Sequence, residues 1–265
     1  MINSTLILRI MSFIIPKKFK ITFAKQILQK EYQTKSTLSK FPFAVFAWDH
    51  IGLNIFLDGI YEKKILENLE NYLRKNNKIK NCLDIGANIG NHSIAFSKYF
   101  EKVYSFEPAM NIFSLLTFNT QNYTNIEIFN FGLSDEDTVM ELFQEHSNYG
   151  HSTLERDDNK KYQSAEKIEL RKFDNIISFK EIEIDFIKID VEGHELQVLK
   201  GASSLLENLK PIIGFEKNTL NNDVYNFLSS KGYKYYYDAK NNFKKIEDWN
   251  KNYSMIVAQT FPRID

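Results

Sequence analysis

Leu83-Asp84-Ile85-Gly86-Ala87-Asn88-Ile89-Gly90 is the stretch whose reading decides the fold. A strand-like run, Ile79 to Ile85, meets a tight turn with two glycines, after which Ile94, Ala95 and Tyr99 recur at helical spacing. Glycine suits a turn whose backbone takes unusual angles or lets a ligand approach closely. Strand, glycine turn and helix in that order make the first half of a nucleotide-type site, with the helix N-terminus facing the ligand. Asn88 stands where the dinucleotide fingerprint G-x-G-x-x-G has its second glycine, and the third glycine is missing. That argues against a pyrophosphate and for a smaller nucleoside-bearing ligand.

Working outward, the chain alternates strand and helix, the signature of a parallel sheet covered on both faces. Strands are expected at 79–85, 102–107, 126–131, 184–191 and 211–216, with two late strands at 233–238 and 253–259. Helices are expected at 91–99, 109–120, 194–208 and 222–231. Upstream, Ile65, Leu66, Leu69 and Leu73 predict an amphipathic helix between Tyr61 and Lys75. Phe43, Val45 and Phe46, then Leu53, Ile55, Phe56 and Leu57, read as two short strands joined by a turn at 48–52. The expected organisation is an N-terminal extension over 1–58 and a catalytic-type domain over 59–265. The long polar gap at 132–183 has the character of an insertion serving as a substrate lid.

The bulk numbers narrow the class. The 265 residues hold 34 Lys+Arg against 34 Asp+Glu. No basic excess of the kind that marks nucleic-acid binders is present. The single cysteine, Cys82, excludes an internal disulfide framework, suggests a reducing, cytoplasmic compartment, and reads as buried packing within its strand. Met1 to Ile15 is largely apolar but is interrupted by Arg9 and closed by Pro16-Lys17-Lys18. It is shorter than the ~20 residues of a spanning helix. A helix packed on the domain and an amphipathic segment over residues 1–20 touching a membrane surface both remain open. Oligomeric state is not legible.

Three further signals carry chemistry. Glu107, in Val103-Tyr104-Ser105-Phe106-Glu107-Pro108, ends the second strand, where a doubly wound fold places its ribose-binding carboxylate. Two carboxylate oxygens can accept from both hydroxyls of a cis-diol. Phe186 to Glu195 alternates apolar residues with Lys188, Asp190 and Glu192 up to the carboxyl end of a central strand, with His194 just beyond. Lys188 inside such a strand needs a carboxylate partner, because an unpaired buried charge is costly. Gly132 and Leu133 follow the third strand, where an adenine ring could be held, and Glu216 ends the fifth. His151-Ser152-Thr153 lies in the insertion, facing either substrate or solvent. His50, His92 and His146 have no evident partner, and His92 reads as an exposed residue opening the helix after the glycine turn. No Cys/His cluster has zinc-like spacing.

L-D-I-G-A-N-I-G, S-F-E-P, F-I-K-I-D-V-E-G-H-E-L-Q-V-L-K-G-A and K-P-I-I-G-F-E, in that order over roughly 79–217, resemble the FkbM family of S-adenosylmethionine-dependent methyltransferases. The resemblance implies a Rossmann-like class I methyltransferase fold: α/β, with a seven-stranded, mostly parallel sheet, its last strand antiparallel, and helices on both faces. It implies methyl transfer to a hydroxyl of a sugar, glycan precursor or related small molecule, with S-adenosyl-L-methionine as cofactor. Asp84, Gly86, Asn88 and Gly90 would hold the cofactor's amino-acid end and Glu107 its ribose. Asp190, Glu192 and His194 would lie near the methyl group.

A neutral alcohol must lose a proton on methylation, which calls for a general base. His194 is the first choice, since imidazole titrates near neutrality, with Asp190 or Glu192 as the rival. Carboxylates so placed also suit Mg²⁺, and the residues do not decide between a metal-assisted and a metal-free route. Two other classes fit the residues less well. A nicotinamide-dependent oxidoreductase is disfavoured by Asn88 and the missing glycine, and a non-catalytic binding module by the retained acids Glu107, Asp190 and Glu192.

Overall fold

The computed structural model describes residues 41–46, 49–145, 148–154, 162–179, 181–217 and 222–263. The glycine turn joins β1 (Asn81–Ile85) to α3 (Asn91–Phe96), as its pattern requires. From there the chain runs through β2 (Lys102–Phe106), α4 (Met110–Thr120) and β3 (Ile126–Phe129). After the 132–183 region come β8 (Phe186–Ile189), α5 (Glu195–Gly201), α6 (Ser203–Leu209), β9 (Ile212–Lys217) and α7 (Asp223–Ser230). The chain closes with β10 (Tyr235–Asp238), β11 (Lys244–Lys245) and β12 (Tyr253–Gln259).

Among the described residues these strands form an eight-stranded sheet ordered β11-β10-β12-β9-β8-β1-β2-β3. Its centre is parallel, and β12 runs antiparallel to both β9 and β10. Seven of the strands are those expected, and β11 is a two-residue addition at the edge. Side chains alternate between faces along each strand. Cys82 and Phe186 therefore pack with α2 (Lys63–Lys75) and α3 on one side, whereas Leu83, Ile85, Ile187 and Ile189 pack with α5 and α6 on the other. Cys82 is fully buried, and burial pushes its thiol well above the ordinary range.

Among the described residues, the 132–183 region holds a second sheet. Strands β4 (Gly132–Ser134), β5 (Thr138–Glu145), β6 (Asn148–Thr153) and β7 (Tyr162–Lys172) pair in the order β4-β7-β5-β6. It is fastened to α4: Met110 N donates to Glu166 Oε1 at 3.1 Å, and Asn111 and the buried Gln144 exchange amide hydrogen bonds at 3.2 and 3.1 Å.

The expected ribbon at 41–59 is corrected. Residues His50–Asp58 form a helix, α1, that starts after Asp49 and ends at Gly59, whose φ of 78° and N–H to Ile55 O stop it. Ile51-Gly52-Leu53-Asn54-Ile55-Phe56-Leu57 is apolar almost throughout, so a strand period and a helix period fit it equally; the left-handed glycine after it was the deciding signal. The expected helix over 194–208 is two, α5 and α6, meeting at Ala202. Residues 1–20 and His146 lie outside the described residues. Among the described residues, no helix is long and apolar enough to cross a membrane.

Candidate active site

Beneath the glycine turn lies a row of charge. Strand register sets Asp84 beside Ser105 of β2 and Lys188 of β8. Lys188 Nζ stands 3.2 Å from Asp84 Oδ1 and 3.4 Å from Asp190 Oδ2, and donates to Gly86 O at 2.9 Å. Ser93 Oγ donates to Asp84 Oδ2 at 2.6 Å, and Ser105 Oγ to Ser93 Oγ at 2.9 Å. Burial pulls the Lys188 ammonium down, and Asp84 with Asp190 more than offsets it, leaving the pKa above the ordinary lysine range. The strand lysine thus has the carboxylate partner its position demanded, and a second one.

The turn sits directly on this row. Gly86 takes φ +75°, and a Cβ there would lie 1.9 Å from Asp190 O, so only glycine fits. Gly86 N and Ala87 N donate to Phe106 O, and Asn88, at φ +51°, donates its own N–H to Glu107 Oε2 at 3.1 Å. Ala109 N donates to Glu107 Oε1 at 3.0 Å. Glu107 is therefore held between the turn and the start of α4. Burial raises its carboxyl to about 7 despite these two donors.

One cleft collects most of the residues singled out above. Gly86, Asn88, Glu107, Gly132, Leu133, Lys188, Asp190, Glu192 and His194 line it. Asp84 and Gly90 do not: Asp84 is fully buried below the floor, and Gly90, at φ +93°, turns the chain into α3 where an added Cβ would lie 2.9 Å from Leu116 Cδ1. The Gly132–Leu133 end is apolar, walled by Ile112 and by Leu142, Ile168 and Leu170 of the second sheet.

The opposite end is acidic. One oxygen from each of Asp190, Glu192 and Glu216 falls within 4.8 Å of the others, a spacing in which they could hold a metal ion. Burial, then Asp190 and Glu192, raises the Glu216 carboxyl to about 8. His194 Nε2 lies 2.9 Å from Ser134 Oγ. Glu195 Oε1 accepts from Val191 N and Gly193 N, pinning the loop that carries Glu192.

Two residues escaped the sequence reading. His92 is buried, not exposed, with Nε2 3.2 Å from Glu62 Oε2, and both line the cleft. Glu62 opens α2, remote from His92 in sequence, so neither local pattern points to the other. His50 packs edge-on against Tyr61, and His151-Ser152-Thr153 belongs to β6.

The chain matches the FkbM methyltransferase domain over residues 84–235, more than half its length. It belongs to the FkbM methyltransferase family. Its α/β sheet and glycine turn are those of the class I S-adenosylmethionine-dependent methyltransferases. The chain is 30% identical over 134 residues to the hexuronic acid methyltransferase AglP of Haloferax volcanii, a match covering 49% of this chain and 53% of that protein. It therefore spans about half the length of this curated relative. Among solved structures, methyltransferase FkbM from Methylobacillus flagellatus is 19% identical, with TM-score 0.46, covering 68% of this chain and 44% of that one. A Streptococcus mutans methyltransferase in complex with SAH is 11% identical, with TM-score 0.42, covering 74% of this chain and 98% of that one.

Proposed function

We propose that this chain transfers a methyl group from S-adenosylmethionine to a hydroxyl of a sugar, glycan precursor or related small molecule. The observation that carries the reading is the placement of Glu107. It is a buried carboxylate at the carboxyl end of β2, tied by Asn88 N to the glycine turn, on the floor of a cleft that is apolar at one end and acidic at the other. Such a cleft suits a nucleoside whose adenine lies among Ile112, Leu133 and the apolar side chains of β5 and β7, and whose ribose diol meets Glu107. The Haloferax relative's name supports a sugar acceptor.

When bound, the cofactor supplies a methyl already activated on a sulfonium, so the protein's task is alignment and proton removal. We assign Asp84 a supporting role, holding Lys188 and Ser93 under the turn. Lys188 in turn holds the Gly86 carbonyl and orients Asp190. The acceptor's proton passes to the Asp190–Glu192–Glu216 group rather than to His194, whose Nε2 is engaged with Ser134. Glu216, at about 8, has the proton affinity of a base working near neutral pH. The same oxygens suit a divalent cation, and turnover with and without a chelator separates the two routes. We read residues 59–265 as the catalytic unit, with the second sheet as its lid.

The test is calorimetry with S-adenosylhomocysteine and NAD, followed by labelled-methyl transfer to neutral hexosides and hexuronides. Binding of S-adenosylhomocysteine but not NAD, and label on an acceptor oxygen, are expected. NAD binding without the homocysteine ligand sinks the reading.

A further inference from the structure

One group of the methyl donor, its ammonium, has no residue assigned to it above. Sheet order puts Glu107 on one side of β1 and Asp190 on the other. A donor whose ribose meets Glu107 therefore lays its amino-acid end over the β1 turn and the first turn of α3. That end carries an ammonium, which needs an anionic acceptor once water is excluded. Asp84, the acid nearest in sequence, cannot serve: it is fully buried under the turn, with Ser93 donating to one oxygen and the Lys188 ammonium paired with the other.

Glu62 reaches this place from the other side. It is the first residue before α2, yet its side chain makes no capping hydrogen bond; its carboxylate meets His92 at 3.2 Å instead. Its backbone is held at φ +54°, ψ +36°, a left-handed conformation that is unfavourable for a non-glycine residue and persists where the surroundings hold it. Asn91 imposes it. Tyr61 N donates to Asn91 Oδ1 at 3.0 Å and Asn91 Nδ2 to Tyr61 O at 3.1 Å, clamping this corner to the helix that follows the glycine turn. Glu62 also contributes to the negative field at both Lys188 and Glu216, so its carboxylate faces the same chamber as the acids of β8 and β9.

We propose that Glu62 accepts the ammonium group of the methyl donor, with His92 as the positioning residue that aims it. The assignment rests on the cofactor reading above and goes beyond it in naming a residue outside the matched family segment. Clamp, strained backbone and buried imidazole are then parts of one device that fixes a carboxylate over the glycine turn.

The test is calorimetric titration of the full chain with S-adenosylhomocysteine and with its deamino analogue, which differs only in lacking the ammonium. The wild type is expected to prefer the amino form by about tenfold or more, the worth of one charged hydrogen bond. Glu62→Gln should lose that preference by weakening the amino form alone. His92→Gln should shift it in the same direction by less. Equal affinity of the wild type for both ligands overturns the assignment without recourse to any variant. So does a Glu62→Gln chain that weakens both ligands alike, which would mark a purely structural role. Binding of neither ligand overturns the cofactor reading itself, and this inference with it.

Discussion

Glu216 and Glu107 are acids whose environment works against their charge. Both have folded-state values, about 8 and about 7, above the roughly 4.3 of an unfolded glutamate. Between those limits the native chain keeps protons that the unfolded chain has released, so stability falls as pH rises from about 4 to about 8. Glu216→Gln removes the part that comes from crowding against Asp190 and Glu192. Its melting temperature at pH 8 is expected to exceed wild type by about 2–4 °C, the shift ~1 kcal/mol makes in a chain of this size. At pH 5, where Glu216 already carries its proton, the two should melt together. Thermal melts at both pH values check this, and a Gln variant that melts lower at pH 8 would rule out the repulsion.

At the scale of elements, the contact between α5 and β4 links the two sheets. Gly201, the last residue of α5, has no Cβ because one would lie 1.9 Å from Ser134 O. Ser134 also receives His194 from the start of the same helix, so both ends of α5 are registered on this one strand. Gly201→Ala should force helix and strand apart and cost about 1–3 kcal/mol, the usual penalty for overpacking. The expected readout is a lower urea midpoint with an unchanged slope, and an unchanged midpoint would contradict the packing. Here the sequence contained the residue, in K-G-A inside the single helix expected over 194–208, but not its reason. Only the fold shows what passes over it.

For the molecule as a whole, the cleft is closed by three pieces brought from far apart in the chain: the parallel sheet, the second sheet, and the corner before α2. A ligand touching all three should stabilise them together. S-adenosylhomocysteine at a hundred times its dissociation constant is expected to add about 2.7 kcal/mol. That corresponds to a rise in melting temperature of roughly 5–10 °C. NAD at the same concentration should leave the melt unchanged; an equal rise would contradict the choice of ligand.

What the sequence determined by itself is the part written in short-range pattern. The β1 turn, Glu107 at a strand end and the alternation around Lys188 each occupy a few consecutive residues, where period and glycine placement dictate backbone and face. Those sufficed for the parallel sheet and for most of the cleft. The tertiary structure alone decided which side chains meet. Asp84 and Lys188 face each other because β1 and β8 are neighbours in register, and that drew Asp84 under the floor. Glu62 and His92 meet because Asn91 captures the corner at Tyr61. Pairings across distant segments depend on packing geometry, and no local period encodes them. The opening turn thus pointed to a nucleoside ligand, while its charged surroundings were set by the strands and helices folded against it.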